Sequence, residues 1–361
     1  MAIKENLTRF IQAIQEDSNY DIEEIKDMVN ESSEHDIRGA AKQFIQLCHL
    51  ITEILVKTKR SVSGISLLST MISKFQQHRS QLTPFHSDFC LLCLDAKCFN
   101  PALEFLDIDY TEIKTTDVAA DDVKQVLSFY YYGGLIYAAV KNFERASHYF
   151  EIVLTIPANV ITPIMQETYK KFILVNVLLN GKLPDHILPK YTSQCVIRQR
   201  KQICHSYLKF AQEYSSLNIE RIRQVVSMNT GIFERDENMG LIKQCLTQVH
   251  RRNILRLTKT FLTLPLSEVA NYVGLHSDKE AELYILNMID DGEISATINQ
   301  RDGMVVFQDI NEKYDSVKVF QELQESMALT TTLIETLKKM NPEALIEHKT
   351  NLCKSVSSDL L

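Results

Sequence analysis

Two stretches of this chain repeat one another. Ala96-Lys97-Cys98-Phe99-Asn100-Pro101-Ala102-Leu103-Glu104-Phe105-Leu106-Asp107-Ile108 returns, 44 residues later, as Val140-Lys141-Asn142-Phe143-Glu144-Arg145-Ala146-Ser147-His148-Tyr149-Phe150-Glu151-Ile152. Lys, Phe, Ala and Ile recur at matched places, with a large apolar pair before the last of them. A period of this length is that of a helical repeat. One helix pair cannot bury its apolar face alone, so neighbouring pairs must stack. The spacing therefore predicts a stack of helix pairs over residues 36–240, in an all-α-dominated chain with a right-handed solenoid.

The second copy fits the tetratricopeptide pattern. Tyr130 and Tyr137 take the large aromatic positions, Gly134 and Ala146 the small ones, Phe150 follows, and Pro157 stops the second helix. Small residues let paired helices approach, and aromatics fill the wedge between pairs. Gly133-Gly134, inside a helical pattern, reads as close packing. Residues 36–79 carry two further helical patterns, separated near Ser61 to Gly64, and residues 1–30 an amphipathic helix with Leu7, Phe10, Ile11 and Ile14 on one face. Only 10 Gly and 8 Pro in 361 residues leave little room for linkers.

From Arg251 to Asp309 the pattern changes. Ile254, Leu257, Phe261 and Leu264 form one apolar stripe and predict a helix. A short helix follows Pro265, with Val269 and Val273 one turn apart and Gly274 at its stop. Ser277 and Glu280 form a capping box for a third helix, which sets Ala281, Tyr284, Met288 and Ile289 on one side and stops at Gly292. Ile294–Ile298 and Met304–Phe307 are strand-like, and Asp302-Gly303 between them is a strong hairpin signal. Three helices and a hairpin predict a winged-helix module. After it, Phe320, Met327 and Ile334 fall at one heptad position and Leu323, Thr330 and Leu337 at the other, in a helix expected over 315–340. This seam has no evident partner in its own chain. Residues from Lys349 to Leu361 read as a tail. The domain boundaries expected are 1–140, solenoid; 141–250 and 251–310, a helical part and a winged helix forming one domain; and 311–361, helix and tail.

No motif supports catalysis: there is no His-Glu-x-x-His, no nucleophile elbow, no phosphate loop and no dinucleotide fingerprint. Cys90-x-x-Cys93, with His86 and Cys98 nearby, lacks the second ligand pair of a structural zinc site and reads as core. No cofactor is expected. The eight cysteines are expected to be reduced, buried small apolar residues. The start of the chain, with Lys4, Glu5 and Arg9, lacks a signal-peptide core, and the longest apolar run, Phe172 to Leu179, is short and interrupted by Asn176. The expectation is a cytoplasmic and nuclear protein with no membrane partner.

Arg198, Arg200 and Lys201, and then Arg251, Arg252, Arg256 and Lys259, are two basic clusters that read as solvated helix faces. A net charge of −7 argues against a bulk nucleic-acid binder. So does the helix that would enter a groove: Asp278, Glu280, Glu282, Asp290, Asp291 and Glu293 stand against one base, Lys279, and phosphates would repel it. The module therefore reads as a protein contact, with Met304 to Phe307 as an edge for strand addition.

A helical solenoid, a winged helix and a bundling helix in this order resemble the PCI family, the scaffold subunits of the proteasome lid, the COP-nine signalosome and eukaryotic initiation factor three. Tyr130-Tyr131-Tyr132-Gly133-Gly134, Lys141 to Ala146, Leu188 to Gln194, Asn238 to Leu241, Leu257 to Leu264, Asp291 to Ile294 and Ile298 to Gln300 are similar to the signalosome branch. The resemblance runs from about His35 to Tyr314. It implies a non-catalytic scaffold that supports removal of a ubiquitin-like modifier from cullins, and so regulates cullin-RING ubiquitin ligases. Its partners would be other signalosome subunits directly and those ligases indirectly. Such subunits join through winged helices, here through Ile294, Ile298, Val305 and Phe307, and gather their C-terminal helices, here through Phe320, Leu323, Met327, Ile334 and Leu337. Other readings remain: a PCI subunit of the lid or the initiation factor, or a nucleic-acid adaptor using Arg251, Arg252 and Arg256.

Overall fold

A computed structural model describes residues 40–108, 110, 112–113, 119–158, 160–181, 192–308 and 319–338, together with 26, 27 and 29. Leu7, Phe10, Ile11, Ile14, the block Leu188 to Tyr191 and the tail from Lys349 lie outside the described residues.

The described helices are α1 (Ala41–Thr58), α2 (Ser61–Phe75), α3 (Phe85–Asp95), α4 (Asn100–Leu106), α5 (Ala119–Ala139), α6 (Phe143–Thr155), α7 (Pro163–Asn180), α8 (Gln194–Ile203), α9 (His205–Ser215), α10 (Ile219–Arg235), α11 (Met239–Thr258), α12 (Leu266–Val273) and α13 (Asp278–Asp290). The strands are β1 (Gln81–Leu82), β2 (Glu112–Ile113), β3 (Thr263–Pro265), β4 (Ser295–Asn299) and β5 (Met304–Gln308). Residues 319–338 are helical. The chain divides into two compact units, one of residues up to Lys259 with Ser267–Ala281, the other of Thr260–Leu266 with Glu282 onward.

In the first unit neighbouring helices pack in sequence. α1 packs on α2 and α3, α3 on α5, α5 on α6, α6 on α7, α7 on α9 and α11, and α10 on α9 and α11. One apolar core runs from Val29 to Val249. The expected boundary at residue 140 falls in the turn between α5 and α6, and the helical packing continues across it.

The turns show why the repeat is written as it is. Lys97 and Lys141, equivalent in the two copies, both have left-handed backbone, with φ of 55° and 67°. After each, the next N–H reaches back five residues: Cys98 to the Cys93 carbonyl at 3.0 Å and Asn142 to that of Tyr137 at 2.9 Å. Arg60 to Leu55 and Asn238 to Phe233 repeat the closure, following left-handed Lys59 and Glu237. This is the Schellman ending of a helix, here made without glycine. The break expected near Ser61 to Gly64 falls at Lys59 and Arg60, just before Ser61. Gly64 is inside α2, where an added Cβ would lie 2.7 Å from Leu92 Cδ1.

The glycine pair in α5 serves packing. A Cβ on Gly133 would sit 2.7 Å from the Tyr149 ring, and one on Gly134 would strike Phe150. Ala146 and Phe150 are fully buried. Tyr137 donates its hydroxyl to Asp107 Oδ1 at 2.7 Å and Tyr149 its own to the Leu106 carbonyl at 2.6 Å, which ties α5 and α6 back to the previous repeat.

The order α11–β3–α12–α13–β4–β5 is helix, strand, helix, helix, strand, strand, that of a winged helix. It differs from the expectation in one element. The first helix stops at Thr258 rather than running through Leu264, and Thr263–Pro265 becomes β3. Pro265 has no N–H to continue a helix and disfavours helical backbone in Leu264 before it. Leu264 is buried all the same, on a strand in place of a helical stripe.

Candidate partner-binding surfaces

In the second unit β3, β5 and β4 form a three-stranded antiparallel sheet with β5 in the middle. Val305 pairs with Leu264 on one side and Ile298 on the other, and Val306 with Thr263 and Thr297. Leu266 N–H bonds to the Gly303 carbonyl at 2.8 Å and Phe307 N–H to that of Leu262 at 2.8 Å, which extends the β3–β5 pairing at both ends. The expectation that Met304–Phe307 offers a free edge is thus corrected. Residue 265's break made a third strand, and that strand occupies the open side of β5. Among the described residues the sheet's edges are β3, three residues long and ending in proline, and β4.

The predicted contact residues divide accordingly. Ile294, Val305 and Phe307 are buried, and Ile298 is half-buried. Strand alternation turns Val305 and Phe307 inward and Val306 outward. Val305 and Phe307 form the inner side of β5, Ile294 is buried just before β4, and the exposed groups are Val306 and Thr297 opposite it, with Leu262 before β3. By contrast, every described residue of the 319–338 helix is exposed, including Phe320, Leu323, Met327, Ile334 and Leu337. Leu329 and Leu333, off the expected seam, are exposed as well, so apolar groups mark more than one face.

On α13, Ala281, Ile285 and Met288 are fully buried, and the expected Tyr284 and Ile289 are half-buried. Ser277 Oγ accepts from Glu280 N–H at 3.3 Å, and Glu280 reaches back to His276 N–H at 3.1 Å, one residue earlier than a capping box would place it. Leu283 and Leu286 point outward, a feature the apolar count of the helix hides but a three-residue spacing on the face opposite Ile285 reveals.

The other candidate groups are structural. Cys90 and Cys93 are buried in α3, where burial pushes the Cys93 thiol up to about 12. His86 lies beneath Phe105, Tyr110 and Phe129, with ring centroids 5.2–5.9 Å away, and burial holds it down at about 4. Among the described residues no three of His, Cys, Asp and Glu converge on a common point. Two cysteines depart from the expected burial: Cys98 is exposed and Cys195 half-buried. Cys353 lies outside the described residues.

The basic cluster at Arg251 is not a uniform solvated face. Arg252 turns inward, and its Nη2 donates to the Leu178 and Leu179 carbonyls at 2.7 and 2.9 Å. These are among the last carbonyls of α7, and a guanidinium there satisfies them and opposes the helix dipole. Gly181, with φ of 67°, leaves room for it; any Cβ would collide with the guanidinium. In the other cluster Arg198 is exposed.

A second buried network joins α7, α9 and α10. Lys170 Nζ lies 2.7 Å from Glu167 Oε1 and 2.8 Å from Asp236 Oδ2. Tyr207 donates to the same Asp236 oxygen at 2.9 Å and receives from Asn238 Nδ2 at 2.9 Å. Burial opposes charge on Asp236, but the hydrogen bonds from Lys170 and Tyr207 outweigh it and hold the carboxyl below its usual range. No helix among the described residues is long and apolar enough to cross a membrane.

Residues 2–196 match the family described as COP9 signalosome complex subunit 3, N-terminal helical repeats, and residues 227–309 match the PCI domain. The chain is 41% identical over 339 residues to the COP9 signalosome complex subunit 3 of Drosophila melanogaster, spanning 90% of this chain and 76% of that one. It is 33% identical over 324 residues to the protein of the same name in Dictyostelium discoideum, spanning 89% and 76%.

Proposed function

The chain belongs to the COP9 signalosome complex subunit 3 family, and from that premise we propose that it is a non-catalytic scaffold of the signalosome, in cytoplasm and nucleus, holding sibling subunits together while a separate metalloprotease subunit removes the ubiquitin-like modifier from cullins. The observation that carries this reading is the 319–338 helix, whose apolar residues are all exposed. An isolated chain gains nothing from such a helix, whereas a bundle of similar helices would bury it. The wing supplies a second contact, along the β4 edge and the outward Val306 and Thr297, with backbone groups for strand addition by a neighbouring subunit. Cullin-RING ligases are reached through the assembly.

Lys170, Asp236 and Tyr207, a buried polar cluster of the helical unit, are engaged with one another. Arg252, which a nucleic-acid adaptor would need on its surface, caps α7 instead. The test is purification of the tagged full chain from cells under native conditions, with subunit identification and an assay of cullin deneddylation. A large complex holding a zinc metalloprotease subunit and cleaving the modifier is expected. A large complex of proteasome or translation subunits without that activity would move the function, and a lone chain would refute it.

A further inference from the structure

We propose that the outward stripe of α13 is a docking surface for a basic amphipathic helix of a partner protein. Leu283 and Leu286 are 58% and 43% exposed. Being three residues apart, they share one face, opposite the buried Ile285 and Met288. The fold has its own apolar contacts on that inner side, so burial of the core does not account for two leucines on the outer one.

Their neighbours state the chemistry of the occupant. Glu282 lies beside Leu286 on the helix face, and Asp290 one turn beyond it. Gln300 Nε2 donates to Glu282 Oε1 at 2.5 Å, which fixes this carboxylate at the side of the stripe and leaves its second oxygen to a partner. Of the six carboxylates from His276 to Glu293, Glu282 and Asp290 border the stripe, Glu280 is turned back to the His276 N–H, and the one lysine, Lys279, stands one turn before Leu283. An apolar pair with Glu282 and Asp290 along its C-terminal part complements a helix with leucine-like residues at spacings of three and four, carrying Lys or Arg where it meets them. A nucleic acid would be repelled, although this helix holds the position from which winged helices read DNA. The proposal does not depend on the scaffold reading.

The test uses the full chain carrying Phe320→Ser and Met327→Ser, so that the other exposed apolar helix cannot capture the probe. The probe is a fluorescein-labelled four-turn peptide of leucine and lysine with its leucines on one helical face, followed by fluorescence anisotropy. Saturable binding is expected, weakened about tenfold or more by Leu283→Ser with Leu286→Ser. Glu282→Lys with Asp290→Lys should weaken it by a similar factor and remove most of its salt dependence. Because this second pair removes no buried apolar group and only the exposed Gln300 hydrogen bond, it decides the matter even if the serine pair disturbs folding. Equal affinity for all three chains would overturn the proposal. So would a single-stranded RNA that competes for the same residues, or a homodimer that the serine pair dissolves.

Discussion

At the scale of single residues, the helical unit contains buried polar groups paired with one another. Lys170 is the clearest case, because its ammonium is buried between Glu167 and Asp236. Replacing it with an apolar side chain leaves Asp236 buried with the Tyr207 hydroxyl and, 3.6 Å away, the exposed Arg235 guanidinium, and breaking such a pair from one side costs about 3 kcal/mol. Lys170→Met should lower the thermal midpoint by several degrees, and Lys170→Met with Asp236→Asn should recover part of the loss; a double variant no better than the single would show that the two residues are not coupled. His86 sets a pH dependence. Burial lowers it from 6.5 to about 4, so between those values the unfolded chain binds a proton that the folded chain refuses. Its contribution is therefore intact above pH 6.5 and falls as pH drops toward 4, by up to about 1.4 kcal/mol per pH unit and roughly 3 kcal/mol in all. His86→Phe, which keeps an aromatic ring beneath Phe105 and Phe129, should flatten the fall in thermal midpoint between pH 7 and 5. An unchanged slope would assign the acid sensitivity to other groups.

At the scale of elements, the chain was legible where its signals were local and ambiguous where a tertiary pairing decided. The repeat at Lys97 and Lys141 announced two helix pairs, and the glycines of α5 announced where they touch, since only a missing Cβ fits against Tyr149 and Phe150. β3 was not legible. Leu264 completes a helical spacing with Ile254 and Leu257, and only pairing with Val305 makes it a strand residue. The same error hid the position of β5: a hairpin read from Asp302-Gly303 alone has two edges, and the third strand occupies one of them. Of the contact residues chosen for hydrophobicity there, Ile294, Val305 and Phe307 are core residues and Ile298 is half-buried. The left-handed lysines give a prediction at this scale. A side chain at such a backbone position costs about 1 kcal/mol, which glycine avoids. Lys141→Gly should raise the thermal midpoint by a few degrees, while Gly134→Ala, which drives a Cβ into Phe150, should lower it. A destabilised Lys141→Gly would mean that the lysine side chain earns its place by contacts of its own.

At the scale of the whole molecule, the two kinds of predicted contact residue call for opposite experiments. Val305 and Phe307 are buried on one side of the sheet, so a charge at either unfolds it, and loss of assembly would say nothing about a surface. Phe320 and Met327 are 66% and 64% exposed, so a charge there removes no packing within the described chain. Phe320→Asp with Met327→Asp should therefore leave the thermal midpoint of the isolated chain within about 1 °C of the parent, since surface substitutions of this kind change stability by about 0.5 kcal/mol at most. It should also make the isolated chain more soluble, because the helix loses two of its exposed apolar groups. In cells the same variant should elute at low molecular weight, without the sibling subunits. If it still co-elutes with them at parental yield, the 319–338 helix is not where the assembly holds this chain, and the β4 edge and the α13 stripe become the surfaces to substitute next. A large fall in the midpoint of the isolated chain would mean instead that the helix packs within its own chain, and its leucines would then be a core.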